Sequence, residues 1–266
     1  MPVPFYDDAT PFPWMPDAVG VVDFNGPRIC NAVPPAAGPG NIVCAPAADF
    51  RLIPRSEWDD RIAQKDAEKS WLEDVIRGVI PSSDQNGLGY CHAYGTKDAG
   101  QNQRLIQGHA FVELSAESVG GPITGWRNQG ADPADDLEQM VKFGACPASY
   151  MDRPHSLSPS RWKSGWEQER LKYRATEFRD LRALRLVFDA CATATLLGLS
   201  CASGFLWWSH FISGPYRLLR RGNVYVLRYR NNWGASWGED GFVDFAEGKG
   251  TPDWSFAVAQ MVAADQ

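Results

Sequence analysis

The stretch Tyr229-Arg230-Asn231-Asn232-Trp233-Gly234-Ala235-Ser236-Trp237-Gly238-Glu239-Asp240-Gly241-Phe242 decides how this chain reads. It sets two amides and two indoles among three glycines, directly after a β-branched and aromatic run, Asn223–Arg230. Residues of that kind form strands, and the glycines mark where the backbone turns. Upstream, Trp207-Trp208-Ser209-His210-Phe211 puts a histidine into another apolar strand, 21 residues before Asn231. Further upstream, Asp84-Gln85-Asn86-Gly87-Leu88-Gly89-Tyr90 leads into Cys91, which opens an expected helix. Acyl chemistry by a thiol needs a Cys held as thiolate, a His beside it, a group orienting that His, and donors facing the oxyanion. A helix N-terminus suits the Cys, because its unpaired N–H groups and dipole favour negative sulfur.

These residues resemble the papain-like (C1) cysteine peptidases. The family block Gln-Gly-x-x-Gly-Ser-Cys-Trp reads here Gln85-Asn86-Gly87-Leu88-Gly89-Tyr90-Cys91-His92, and Asn-Ser-Trp-Gly-x-x-Trp-Gly reads Asn231-Asn232-Trp233-Gly234-Ala235-Ser236-Trp237-Gly238. Ile53-Pro54 and Trp58-Asp59-Asp60-Arg61 look like the start of a mature enzyme. Glu113–Val119 looks like the family's Leu-Ser helix, and Gly144-Ala145-Cys146-Pro147 like the turn after the next helix. The likeness spans roughly residues 53–262. It implies an α+β, two-lobed papain-like fold. An N-terminal helical lobe brings Cys91, a C-terminal antiparallel sheet or barrel lobe brings His210 and Asn231, and the site lies in the cleft between them. By position, Cys91 is the nucleophile and His210 its base. Asn231 orients His210, Gln85 and the Cys91 N–H form the oxyanion hole, and Trp233 covers the Asn–His contact. Gly130, in Asn128-Gln129-Gly130-Ala131, stands nearest to the glycine pair along which substrate backbone runs. The implied activity is peptide hydrolysis through an acyl-enzyme, with a peptide or protein as partner, no cofactor and no metal.

The chain departs from the pattern at several points. Tyr90 and His92 replace Ser and Trp, Asn86 replaces Gly, and Leu88 stands where the family has a disulfide-bonded Cys. His92 is expected to be half-buried and to face away from the Cys91 partner side, since successive helical side chains point about 100° apart. His109 is expected on the wrong lobe and His155 in a polar loop. Two other readings use the same residues: a weak or inactive papain-like scaffold in a larger assembly such as a phage virion, and an amidase or acyltransferase acting on a non-protein substrate.

The rest of the chain sets bounds. Its 266 residues, 44% hydrophobic and 22% charged, suffice for a sizeable core. The net charge of −6 argues against nucleic-acid binding through bulk charge. No signal peptide or membrane-spanning run is evident, so a cytoplasmic or virion-associated protein away from membranes is expected. The six cysteines, at 30, 44, 91, 146, 191 and 201, form no CxxC pair; most read as buried free thiols, with Cys30 and Cys44 the pair to watch. Ten of the 19 prolines fall in residues 1–50. That segment reads as an arm docked through Phe5, Tyr6, Phe12 and Trp14 and available to an assembly partner, ahead of a peptidase domain over 51–266. Helix is expected over 59–79, over 133–143, and over 164–197 with a break near Arg179–Arg182, and about 62–82 reads as a helical insertion. The Arg-rich stretches 161–185 and 217–230 read as solvated faces.

Overall fold

The computed structural model describes residues 2–10, 44–45 and 50–262. Its strands are β1 (Phe5–Tyr6), β2 (Cys44–Ala45), β3 (Ala175–Asp180), β4 (Ser200–Phe205), β5 (His210–Arg221), β6 (Val224–Arg230), β7 (Phe242–Ala246) and β8 (Trp254–Met261). Its helices are α1 (Trp58–Glu68), α2 (Leu72–Ile76), α3 (Cys91–Ile106), α4 (Glu117–Thr124), α5 (Pro133–Lys142), α6 (Trp166–Glu169) and α7 (Val187–Leu196). The strands form one sheet in the order β1-β7-β6-β5-β4-β8-β3-β2, antiparallel except for its two-residue edges. Helices gather in the first half and strands in the second, the α+β arrangement expected of two lobes.

The long helix α3 joins the lobes. It is buried on every side although much of it is polar, because its polar side chains find partners on the elements around it. Gln101 accepts from the Leu114 N–H at 2.8 Å, Asn102 donates to the Tyr216 hydroxyl at 2.6 Å, and Gln103 accepts from the Ser200 N–H at 3.2 Å. Gly95 seats α3 against β5: a Cβ there would lie 2.6 Å from the Phe211 ring. Helix α5 follows its sequence signals. The Asp132 side chain accepts from the Ala134 N–H at 2.8 Å, Pro133 takes the first turn, Leu137 and Met140 are buried, and Gly144 (φ 76°) ends the helix.

Three expectations need correction. The run 164–197 carries helix at 166–173, 181–184 and 187–196 in α and 3-10 pieces, but what interrupts it is a strand, β3 at 175–180, and not a simple break near Arg179–Arg182. The run 59–79 breaks at Lys69, whose φ of 51° ends α1, and Ala63, Ala67, Val75 and Val79 of its apolar stripe are exposed. Arg217–Arg230 is a solvated face only at Arg220, Arg221 and the turn that follows. Arg228 bonds Glu73 at 2.8 Å and Asp244 at 2.7 Å, Arg217 bonds Asp66 at 2.6 Å, and Arg230 bonds Asp240 at 2.6 Å. The pairs to Asp66 and Glu73 hold α1 and α2 on the sheet, so these arginines serve packing.

Part of the arm lies on the sheet. Strand β1 pairs in parallel with β7, Tyr6 packs 5.9 Å from Phe245, and the Arg221 guanidinium sits 4.9 Å over the Phe5 ring. Phe12, Trp14, Cys30 and the Cys44 side chain lie outside the described residues. Cys91, Cys146, Cys191 and Cys201 are buried thiols outside any disulfide. Among the described residues, no helix is long and apolar enough to cross a membrane.

Candidate active site

Two loops place the reactive groups. The loop before α3 and the turn after β6 are zipped together by a bridge between Asp84 and Trp233. The Gly234 N–H donates to Ser83 O at 2.8 Å, and the Gln85 N–H donates to Asn232 O at 2.9 Å. Gly234 has φ 82°, and a Cβ there would stand 2.9 Å from the Asp84 carboxylate, so this close approach needs a glycine. The zipper fixes the N-terminus of α3, with Cys91 as its first residue, relative to the β6 turn.

His210 is the first residue of β5 and Asn231 the first after β6. His210 Nε2 and Asn231 Oδ1 are 2.8 Å apart, and both residues are buried. The Asn232 backbone N–H donates to the same Asn231 atom at 2.8 Å. A backbone N–H can only donate, so that atom is the amide oxygen, and His210 Nε2 must carry the hydrogen toward it. In the neutral ring this leaves Nδ1 as the basic nitrogen. Tautomer and ring orientation therefore follow from one side-chain amide and one peptide.

Asn232 ties the pieces further. Its side-chain Nδ2 donates to Phe211 O at 3.3 Å and reaches Cys91 O at 3.5 Å, so one amide spans the His strand and the Cys helix. The sequence motif assigns this residue no task; its signal is the polar side chain beside Asn231. Indoles enclose the imidazole. Trp233 lies 5.0 Å from it at 32°, and Trp208 meets it edge-on at 4.8 Å. Trp237 packs on both. This apolar jacket strengthens the His–Asn bond.

Gln85 is fully buried and its amide donates to Leu88 O at 2.5 Å, which braces the turn before Cys91. Gly130 lies in the segment that meets this turn. Its neighbour Asn128 accepts from the Gly89 N–H at 2.6 Å and reaches Gly87 O at 3.4 Å. A side-chain amide thus clamps the loop where Leu88 leaves no disulfide.

The remaining histidines are engaged elsewhere. His92 is not half-buried but fully buried: its Nδ1 lies 2.7 Å from Asp136 and pins α3 to α5. Burial raises the Asp136 carboxyl, and His92 opposes that. His155 bonds the Tyr94 hydroxyl at 2.9 Å. His109 follows the far end of α3, about 24 Å along the helix from Cys91. Burial pushes the Cys146 and Cys191 thiols up to about 12, and Cys201 well above the usual thiol range.

No known family profile matches the sequence, and no curated protein does. Solved structures do match. Xylellain, a cysteine protease from Xylella fastidiosa, is 16% identical with a TM-score of 0.56, over 89% of this chain and 97% of that one. Digestive procathepsin L2 from the larval midgut of Tenebrio molitor is 13% identical with a TM-score of 0.55, over 86% and 77%. The proform of the ragweed pollen allergen Amb a 11, a cysteine protease, is 16% identical with a TM-score of 0.51; the match covers 71% of this chain and 64% of that proform's length. At these identities the likeness speaks for fold alone: this chain has the two-lobed fold of the papain-like cysteine proteases.

Proposed function

We propose that this chain is a cysteine peptidase that cleaves peptide bonds through an acyl-enzyme on Cys91. The observation carrying this is the His210–Asn231 bond with its oxygen fixed by the Asn232 N–H, in a fold whose solved neighbours are cysteine proteases. Cys91 sits at a helix N-terminus, where unpaired N–H groups and the dipole lower the cost of a thiolate. In the proposed reaction, His210 Nδ1 takes the thiol proton and the sulfur attacks the scissile carbonyl. The Cys91 N–H faces the oxyanion, and the Gln85 amide, one of whose hydrogens goes to Leu88 O, offers its other hydrogen as the second donor. His210 then returns its proton to the leaving amine, and water, deprotonated by the same nitrogen, hydrolyses the thioester. Asn231 keeps the ring in register, and the indoles keep water off the Asn–His contact. The segment at Gly130 forms the wall along which substrate backbone runs.

The test is hydrolysis of an unfolded protein, with new N-termini mapped by mass spectrometry, for the natural chain and Cys91→Ala. Cleavage that disappears in Cys91→Ala supports the reading. Cleavage that persists in Cys91→Ala, or none in the natural chain, overturns it.

A further inference from the structure

A cavity of about 590 Å³ opens beside the loop that leads to Cys91. Asn86 and Leu88 form one wall. The segment 153–161 forms the other, with Arg153, His155, Ser156, Ser158, Ser160 and Arg161. No Asp or Glu lines it, in a chain that carries 32 acidic residues against 26 lysines and arginines. Among the described residues, neither the Arg153 nor the Arg161 guanidinium makes an ion pair or hydrogen bond. The acidic group behind the pocket, Glu117, is already engaged by Tyr94, Ser115 and His155. Two cations and several hydroxyls therefore face a solvent-filled space with no counter-charge in its lining.

The backbone is held unusually here. Asn86 (φ 46°) and His155 (φ 60°) are both non-glycine residues in the left-handed region, and both line this cavity. A glycine would adopt the Asn86 conformation without strain. The asparagine instead adds a side chain to the wall, and its Oδ1 is buried without a hydrogen-bond partner.

We infer that this pocket is a substrate subsite for a carboxylate side chain, so that the chain prefers peptides with Glu or Asp a few residues from the scissile bond. The inference rests on the peptidase reading for its place on the substrate. A planar guanidinium matches a carboxylate through paired N–H donors, and serine hydroxyls complete its solvation. Leu88 links this pocket to the reactive centre, since its carbonyl receives the Gln85 amide three residues before Cys91.

The test uses fluorescein-labelled nonapeptide pools that fix Glu or Gln at each position in turn. Cleavage is read with the natural chain, and binding by anisotropy with Cys91→Ser, so the second measurement does not depend on turnover. At one position the Glu pool is expected to bind and react about tenfold better than the Gln pool, as one charge-assisted contact warrants. The combined variant R153Q and R161Q should erase that preference while handling the Gln pool as before, and about 0.5 M salt should weaken the preference. Equal binding of Glu and Gln pools at every position, or a preference that survives the double variant, overturns the inference. Arginine-dependent binding of Glu pools without cleavage by the natural chain sustains the anionic pocket and sinks the peptidase reading instead.

Discussion

At the scale of the residue, the site turns on a single oxygen. Asn231 Oδ1 receives two donors, His210 Nε2 and the Asn232 N–H, and so determines which imidazole nitrogen is basic. His210→Ala is expected to cut peptide hydrolysis by about 10²–10⁴-fold, the usual worth of a positioned acid–base group. Asn231→Ala should cost less, because the indoles still hold the ring. The check is kcat/KM on one peptide for both variants. The helix start at Cys91, the strand start at His210 and the turn at Asn231 are legible in the sequence because each sits in a short block whose neighbours have local tasks. The place of His92 is not. Its burial depends on Asp136, 44 residues away on another helix, and helical periodicity says which way a side chain points without saying what covers it.

At the scale of the element, two contacts set the geometry. The first is the approach of α3 to β5 at Gly95. Alanine is a better helix former by about 1 kcal/mol, yet its Cβ would meet Phe211 at 2.6 Å. Overpacking should win, and Gly95→Ala is expected to lose about 1–3 kcal/mol in urea unfolding and to lower activity by shifting Cys91 relative to the His strand. The second is Glu73 on α2, buried against Arg228 and Arg77. Burial pushes its carboxyl up, but the arginines outweigh this and hold it below the ordinary carboxylate range. A depressed carboxyl contributes stability above its unfolded pKa and loses it as pH falls toward its folded value. Glu73→Gln should therefore cost about 3 kcal/mol near neutral pH, and the gap to the natural chain should narrow as pH falls from about 6 to about 3. Denaturation at several pH values reads this directly. The apolar stripe at 59–79 hid this arrangement: half of it is exposed, and ion pairs to β5 and β6 hold the segment down. Such pairs join residues far apart in sequence, so no local pattern announces them.

At the scale of the molecule, both edges of the sheet end in two-residue strands from the first 45 residues, β1 on β7 and β2 on β3. Helical half and sheet half were legible from where β-branched and aromatic residues concentrate. The strand β3 was not, because 164–197 carries enough Arg, Glu and Leu to read as helix while tertiary pairing with β8 overrides that preference. The eleven tryptophans gain a partial account: Trp208, Trp233 and Trp237 jacket the imidazole, and Trp207 stacks on Trp208 at 5.6 Å.

The central claim is that Cys91 is a thiolate held by His210. Iodoacetamide labelling, with the modified cysteine mapped by mass spectrometry, tests it most directly. Cys146, Cys191 and Cys201 are pushed to high pKa by burial and should label slowly. An ordinary thiol slows tenfold per pH unit below its pKa, about 100-fold from pH 7.5 to pH 5.5. Cys91 should instead label fastest of the four and keep most of its rate at pH 5.5, and it should lose that rate in His210→Ala. A Cys91 rate that falls tenfold per unit, or that His210→Ala leaves unchanged, would contradict the account.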